Sequence, residues 1–505
     1  ANHNITKITI PNTITEIQPN AFKGCHRLED VIFESPIAVT TIGDGAFDTQ
    51  VIDPILDTCT LADKPKLTFT GEAVDGSAPF EYAMKPSNNC NKGSHETTFI
   101  TFYTGWPSNL TVQYNSLTDK NELIDYPRLT ELASYSTSNY PYITSENALA
   151  ASKAYAAYLN GDTMTQDQKD IVGSALNVVV PSGVEGIKEG IFSNMDSYGN
   201  TVSADGSANT DISTITLNGI SEIEPYTFAN CSNLIGAYIS SDTETLGDYA
   251  FQNCNRLADV DIYSDLTEFG IRPFAGCDDL SHVDFGSNPN FQCFDAIIYG
   301  MRDGEKYSIL EVLESRGVTY GIGTISTNEL NGVKEIAEEA FMDCDGIVSV
   351  DLSTTKVAEL PEEVFAETDD LYSVVLPDGI RRIAKDAFRN SNIRYLDIPN
   401  SLSVIDSEAF TGDLQTITFY CEEDSAAADY ASNYKNIIVS EKPVTYKVTY
   451  YDEDGVTILD EVSVNAGEDA ITYIEIPVKE GFVFDCWFPA PVGVTENMKT
   501  YAKYV

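Results

Sequence analysis

The chain has 505 residues, 42% hydrophobic and 21% charged, which excludes a disordered polymer and exceeds one compact core, so about two to four folded units are predicted. Its 78 acidic residues against 30 basic ones leave a net charge of −48, a field that repels phosphate backbones and anionic lipid heads and makes nucleic acid and bare membrane poor partners. No stretch approaches the ~18 consecutive apolar residues of a membrane span, and Ala1-Asn2-His3-Asn4 shows neither a basic n-region nor an apolar h-region, so the visible chain carries no address of its own.

The chain opens on a register that returns along its length. Ile8-Thr9-Ile10-Pro11 leads to Ile14, Ile17, Ala21-Phe22, Cys25 and Leu28. Val178-Val179-Val180-Pro181 leads to Val184, Ile187 and Ile191-Phe192 at the same offsets, and Val374-Val375-Leu376-Pro377 to Ile380, Ile383 and Ala387-Phe388. The phenylalanine marks each copy: Phe22, Phe47, Phe192, Phe228, Phe251, Phe274, Phe341, Phe365, Phe388 and Phe410. Phe228, Phe251 and Phe274 lie 23 residues apart, as do Phe365 and Phe388. The 67-residue step from Phe274 to Phe341 is close to three periods and predicts two degenerate turns between Phe285 and Gly332. The 145-residue step from Phe47 to Phe192 must hold an insertion.

The apolar positions say what each copy does. In Leu257-x-x-Val260-x-Ile262 the spacing is that of a short strand with one face inward. One such strand cannot bury its inner face alone, but stacked copies join into a parallel sheet with a continuous core. The Ala-Phe-x-x-Cys stretch is expected to return the chain as one short helical turn, phenylalanine upon phenylalanine.

Residues 51–176 break the period. Leu67–Thr70, Thr98–Tyr103 and Leu110–Tyr114 alternate like strands between Gly, Pro and Asn turn signals. Helices are expected from Ser145 to about Leu159 and from Gln166 to Leu176, capped by Ser145 and Thr165 and separated by Gly161. This predicts a β-rich subdomain followed by a helical hairpin. Its aromatics, Tyr82, Tyr103, Trp106 and Tyr114, suit the core of a small β unit and could also stack on sugars. The repeats then run through 177–440, closed by a cap of helical composition over Ser425–Tyr434 and a last strand at Ile437-Ile438-Val439. Glu441-Lys442-Pro443 reads as a linker to a further module over 444–505.

At this point the chain resembles the BspA-like leucine-rich-repeat family, whose turns of about 23 residues follow Ile-x-Ile-Pro-x-x-Val-x-x-Ile-x-x-x-Ala-Phe-x-x-Cys-x-x-Leu. The similarity covers residues 1–50 and 177–440. The tail, with Tyr446–Tyr451, the turn Asp452-Glu453-Asp454-Gly455, Gly481-Phe482-x-Phe484 and Trp487, is similar to the internalin B-repeat-like (Listeria–Bacteroides repeat) family. It departs at Cys486, where that family has glycine before the tryptophan. The resemblances imply an α/β fold: a right-handed leucine-rich-repeat solenoid with its parallel sheet on the concave face and a C-terminal β-grasp-like module. They also imply an extracellular or bacterial cell-surface location, and adhesion to host matrix, host cells or other bacteria.

Chemistry leaves few traces. The ten cysteines include no C-x-x-C, and Cys25, Cys231, Cys254, Cys277 and Cys344 each stand three residues after a repeat phenylalanine, which marks a packing ladder. Cys59 and Cys90 share the insertion and could pair. There is no G-x-S-x-G, no phosphate-binding G-x-x-x-x-G-K-[ST] and no H-E-x-x-H, and the four histidines, His3, His26, His95 and His282, are scattered. No catalytic residue, metal site or cofactor is therefore expected, and the chain is read as a binder, not an enzyme.

One constellation remains. The residues flanking the inward valine of each strand point out from the sheet. They include Tyr238, Asp259 and Asp261, His282 and Asp284, Asp351, Tyr395 and Asp397. Asp261, Asp284, Asp351 and Asp397 occupy one column, and like charges on strands about 4.8 Å apart are unfavourable unless a basic partner or cation relieves them. The expected partner is a protein or glycan, the chain itself a monomer.

Overall fold

The computed structural model describes residues 5–505 except 24, 26–27, 29, 35–36, 44–45, 48–65, 71–98, 104–110, 116–119, 126–144, 203–210, 264, 317–322, 413–414, 443, 468, 471–478 and 480–482. Cys59, Cys90, Tyr82, Trp106, His3, His26 and His95 lie outside the described residues. The chain divides into two compact units, Ala1–Ile393 with Val404–Gln415, and Arg394–Ser403 with Thr416–Val505.

The first unit is a stack of repeat turns. Strands Asn177–Val180, Thr214–Leu217, Gly236–Ile239 and Asp259–Ile262 pair in parallel without slippage, Val179 facing Thr216, Thr216 facing Tyr238 and Tyr238 facing Asp261. Burial alternates along Asn177–Val180, Thr214–Leu217 and Asp259–Ile262, so Ile215, Leu217, Val260 and Ile262 enter the core. On the return side the marker rings stack from copy to copy. Phe192–Phe228 and Phe228–Phe251 centroids lie 5.0 Å apart, Phe251–Phe274 5.7 Å, and Phe341, Phe365, Phe388 and Phe410 repeat the pattern at 4.9, 5.3 and 4.9 Å.

The return segment is not the helical turn that its composition suggests. Around Phe228, Phe251, Phe274, Phe341, Phe365 and Phe388 two residues adopt left-handed backbone, one two places before the phenylalanine and one two places after. Tyr226 and Asn230 do so around Phe228, Tyr249 and Asn253 around Phe251, Asp386 and Asn390 around Phe388. Left-handed backbone costs a non-glycine residue roughly 1–2 kcal/mol. It turns the N–H groups along the stack, where Tyr226, Phe228 and Asn230 donate to the carbonyls of Asp248, Ala250 and Gln252 in the next copy at 3.1, 2.8 and 2.7 Å. A helix would have spent those donors within its own turn. The cysteines join this ladder: the Cys254 thiol donates to the Phe228 carbonyl and Cys277 to that of Phe251, each at 3.2 Å.

At the N-terminal end, Lys7–Ile10 and Asp30–Phe33 pair in parallel, and strands Lys66–Thr70 and Phe99–Tyr103 extend the same sheet in parallel. Phe69 packs edge-on against Phe33 and Phe47, at 5.4 and 4.8 Å. The β-rich stretch thus adds strands to the N-terminal repeats before turning antiparallel through Thr111–Asn115 and Lys120–Asp125. Helix α1 (Ser145–Asn160) packs Ala151 and Ala154 against Ile171, Val172 and Ala175 of helix α2 (Gln166–Leu176). The Thr165 hydroxyl caps α2 by accepting from the Gln168 N–H, and the Gln168 side chain answers by accepting from the Thr165 N–H.

Among the described residues the 67-residue step holds a meander in place of the two degenerate turns. Strands Phe291–Phe294, Ile297–Arg302 and Glu305–Val312 form an antiparallel meander. Its two-residue loops, Asp295-Ala296 and Asp303-Gly304, have positive φ at both positions (52° and 57°, 54° and 79°), the geometry whose twist matches a hairpin. Beyond it the parallel pairing resumes with Gly323–Ile325, Ile347–Asp351 and Ser373–Val375.

In the second unit, Tyr395–Asp397, Ile417–Tyr420 and Ile437–Ser440 pair in parallel. A short helix, Ala426–Ala431, capped by Ser425, precedes the last of them. Residues Thr445–Tyr504 carry a four-stranded sheet, with Thr445–Tyr451 antiparallel to Ile458–Asn465 and parallel to Met498–Tyr504, which pairs antiparallel with Phe484–Phe488. Its core holds Val448, Tyr450, Val464, Trp487 and Ala502. The Asp452–Gly455 segment is a turn, where the Asp454 carboxylate accepts from the Thr457 hydroxyl and the Val456 and Thr457 N–H groups, and these bonds hold its pKa below the usual carboxylate value. Cys486 is exposed, so its side chain takes no room from the core.

Candidate functional site

The outward face of the parallel sheet presents the side chains that alternation leaves out of the core. In the first unit the column runs Val179, Thr216, Tyr238, Asp261, Asp284, with Val179 and Tyr238 exposed and Asp261 and Asp284 joined by a parallel bridge. Asp259 and His282 are exposed beside it. Tyr238 lies back over Gly236, its hydroxyl 3.0 Å from where a Cβ there would stand, so the missing side chain at Gly236 is what lets the ring rest on the sheet.

Asp261 and Asp284 meet as the spacing indicates. Partial burial, with the charges of Asp284 and Asp259, raises the Asp261 carboxyl above its ordinary value. Asp284 is held by its own turn, accepting from the Gly286 N–H at 2.7 Å and from the Tyr263 hydroxyl at 3.2 Å. Tyr263, 57% exposed, continues the outward alternation one step past the strand, and the Asp261 charge followed by partial burial raises its phenol. Extending the period-two pattern of Asp259 and Asp261 by one more step is the signal that finds it.

The remaining residues of the expected stripe lie in another sheet or in the second unit. Asp351 belongs to another sheet, beyond the antiparallel meander, where it faces Val375 and accepts from the Ser353 N–H at 2.9 Å. Tyr395 and Asp397 belong to the second unit. There the Tyr395 ring stacks on Tyr420 at 5.5 Å, and Asp397 is ion-paired with Lys442. Within the first unit Tyr238, Asp259, Asp261, Tyr263 and Asp284 thus form one compact group, while Asp351 lies in another sheet.

A second set of titratable groups lies buried where the meander interrupts the stack. Phe274 has no following copy to supply carbonyls. Its N–H donates to both Glu311 carboxylate oxygens, at 3.2 and 3.4 Å, and the Gly276 N–H donates to Glu314 at 2.9 Å. Arg272 bonds Glu314 at 2.6 Å. Burial pushes Glu311 up to about 8 and Glu314 to about 7, against the countercharge of Arg272. The carboxylates replace missing backbone acceptors, which accounts for them structurally. Among the described residues no group of three or more His, Cys, Asp or Glu could hold a metal ion, and no helix is long and apolar enough to cross a membrane.

Stacked parallel strands, a ring ladder on the return side and an outward face of aromatic and acidic side chains define a leucine-rich-repeat solenoid. The BspA-type leucine-rich-repeat region matches residues 1–64, 174–294 and 321–425 in six copies, together more than half of the chain. The chain belongs to that family. No curated protein matches it. Similar solved structures include a leucine-rich cell-surface protein from Faecalibacterium prausnitzii A2-165, 16% identical over 81% of this chain and 80% of that one, with a TM-score of 0.32. The pneumococcal vaccine antigen PcpA is 15% identical over 54% and 78% of the two chains, TM-score 0.33. A leucine-rich-repeat protein from Bacteroides ovatus ATCC 8483 is 14% identical over 87% and 84%, TM-score 0.31.

Proposed function

We propose that the chain is a non-enzymatic adhesion protein, secreted or displayed on a bacterial surface, that holds a basic macromolecule on the outward face of its parallel sheet. The observation that carries this reading is the group Tyr238, Asp259, Asp261, Tyr263 and Asp284. Partial burial and the charges of Asp284 and Asp259 raise the Asp261 carboxyl above its ordinary value, and Tyr238 and Tyr263 beside it are exposed. A cationic side chain of a partner relieves that repulsion, while the rings supply rigid contact area of the kind that anchors interfaces. Family membership supports a surface location and a macromolecular ligand. In this reading residues 51–176 form a subdomain inserted between the repeats of 1–50 and those of 177–440, and 444–505 form a B-repeat-like β-grasp module that serves as spacer or weak contact. The chain acts as a monomer. The test is adhesion of the full chain to immobilised host matrix proteins, host cells and other bacteria, between about 0.05 and 0.5 M salt. Binding that weakens as salt rises is expected. Failure to bind any of them, or binding indifferent to salt, contradicts the reading.

A further inference from the structure

A cleft of about 380 Å³ opens in the first unit between helix α1 and the edge of the repeats, and none of its lining residues belongs to the acidic group. Its size falls within the roughly 300–1,000 Å³ usual for small-ligand sites. One wall is helical. Tyr155 and Tyr158 stand one turn apart on α1, so both rings face the same side, and Tyr158 is exposed. The opposite wall is built by the repeat. Asp211, Asn233 and Arg256 each stand three residues before the first residue of their strand, and those strands pair in register, so the three form a row at the inter-strand interval of about 4.8 Å. Ser213 lines the same wall. The row reads acceptor, amide, donor, and the Arg256 guanidinium donates to Asn233 Oδ1 at 3.2 Å.

The chemistry of this lining discriminates among ligands. An anion would suit Arg256 and be repelled by Asp211; a cation would suit Asp211 and be repelled by Arg256. An apolar ligand would strip water from all the polar groups and return no hydrogen bonds. A hydroxyl-bearing ring satisfies both ends, since each hydroxyl donates to a carboxylate or accepts from a guanidinium. The apolar C–H face of such a ring stacks on a tyrosine. We propose that this cleft is a carbohydrate site for a neutral pyranose, with Tyr155 and Tyr158 as the stacking wall and Asp211, Asn233 and Arg256 as the hydroxyl-reading row. The site shares no residue with the acidic group, so either can fail without the other.

The test applies the full chain to an array of neutral oligosaccharides ending in glucose, galactose, mannose or N-acetylglucosamine, beside sialylated and glucuronate-bearing ones. Affinity for the strongest glycan is then measured by calorimetry. Binding to neutral glycans is expected, weakened at least ~10-fold by Tyr158→Ala and by Arg256→Ala, and unchanged when Asp261 and Asp284 are both replaced by Asn. Tyr158 and Arg256 are exposed, so both variants are expected to keep the parent's melting temperature. A silent array, preference for the acidic glycans, or affinity indifferent to both cleft substitutions overturns the proposal.

Discussion

The stack around Phe251 and the seam after Phe274 solve one problem with different materials. At Phe251 the ring is sandwiched between two others, and its N–H donates to the Pro273 carbonyl of the next copy at 2.8 Å. At Phe274 the next copy is absent, and the equivalent donor bonds the carboxylate of Glu311 instead. On the far side of the meander, Val312 stands in for the missing turn. It donates to the Ala340 carbonyl at 2.8 Å and accepts the Cys344 thiol at 3.2 Å, as the Phe251 carbonyl accepts that of Cys277. Where the period holds, the neutral backbone of the next copy accepts the phenylalanine N–H. Where it breaks, side chains must supply the acceptor, and they bring charge into a dry place.

That contrast can be broken experimentally, starting with the largest effects. Phe251→Ala removes a fully buried ring with stacking partners on both sides and is expected to cost about 3–5 kcal/mol in denaturant unfolding, equally at pH 5 and pH 9. Arg272→Met leaves two buried glutamates without their countercharge and is expected to cost about 3–5 kcal/mol at pH 9. At pH 5, where both glutamates hold protons, its cost should shrink sharply. Equal losses at the two pH values would remove the charge from the account of the seam.

Glu311→Gln gives a smaller effect with a defined sign. Glu311 titrates near 8 in the folded chain against 4.5 for an exposed glutamate, so the folded state keeps a proton that the unfolded chain loses. The stability contributed by that proton is fully present below about pH 4.5 and is lost as pH rises through 8. The glutamine keeps an oxygen for the Phe274 N–H and has nothing to ionise. Melting curves from pH 4 to 9 should therefore show a flatter decline for the variant, with the gain confined to the alkaline end. Smallest is Gly304→Ala in the meander's second loop. With φ of +79° and nothing within 4 Å of the added carbon, only backbone strain counts, and about 1 kcal/mol is expected from unfolding.

The sequence made the stack legible because one residue type recurs at one interval, and because alternation within each strand decides which side chains face out. Tyr238, Asp259, Asp261 and Asp284 are all placed correctly by that rule. The seam was not legible, since 67 residues is close to three periods and length alone does not separate two degenerate turns from a meander. Asp303-Gly304 is a strong hairpin signal, but Asp295-Ala296 is not, because alanine rarely takes positive φ. The acidic column read as continuous because register was carried across the interruption, where the meander in fact puts Asp351 in another sheet. The left-handed positions around phenylalanines such as Phe251 and Phe365 were likewise hidden. Tyrosine and glutamate do not advertise that backbone, and only bonding between copies fixes it.

The central claim is that the compact outward group, rather than the whole column, holds a partner. It is tested most directly by replacing Asp261 and Asp284 with Asn together, and separately Asp351 with Asn, in the full chain. Each variant's affinity is then measured for whichever matrix protein or cell the parent binds. The account predicts at least ~10-fold weaker binding for the double variant, with unchanged melting temperature, and no change for Asp351→Asn. Equal affinity of parent and double variant, or an equal loss in Asp351→Asn, would contradict it.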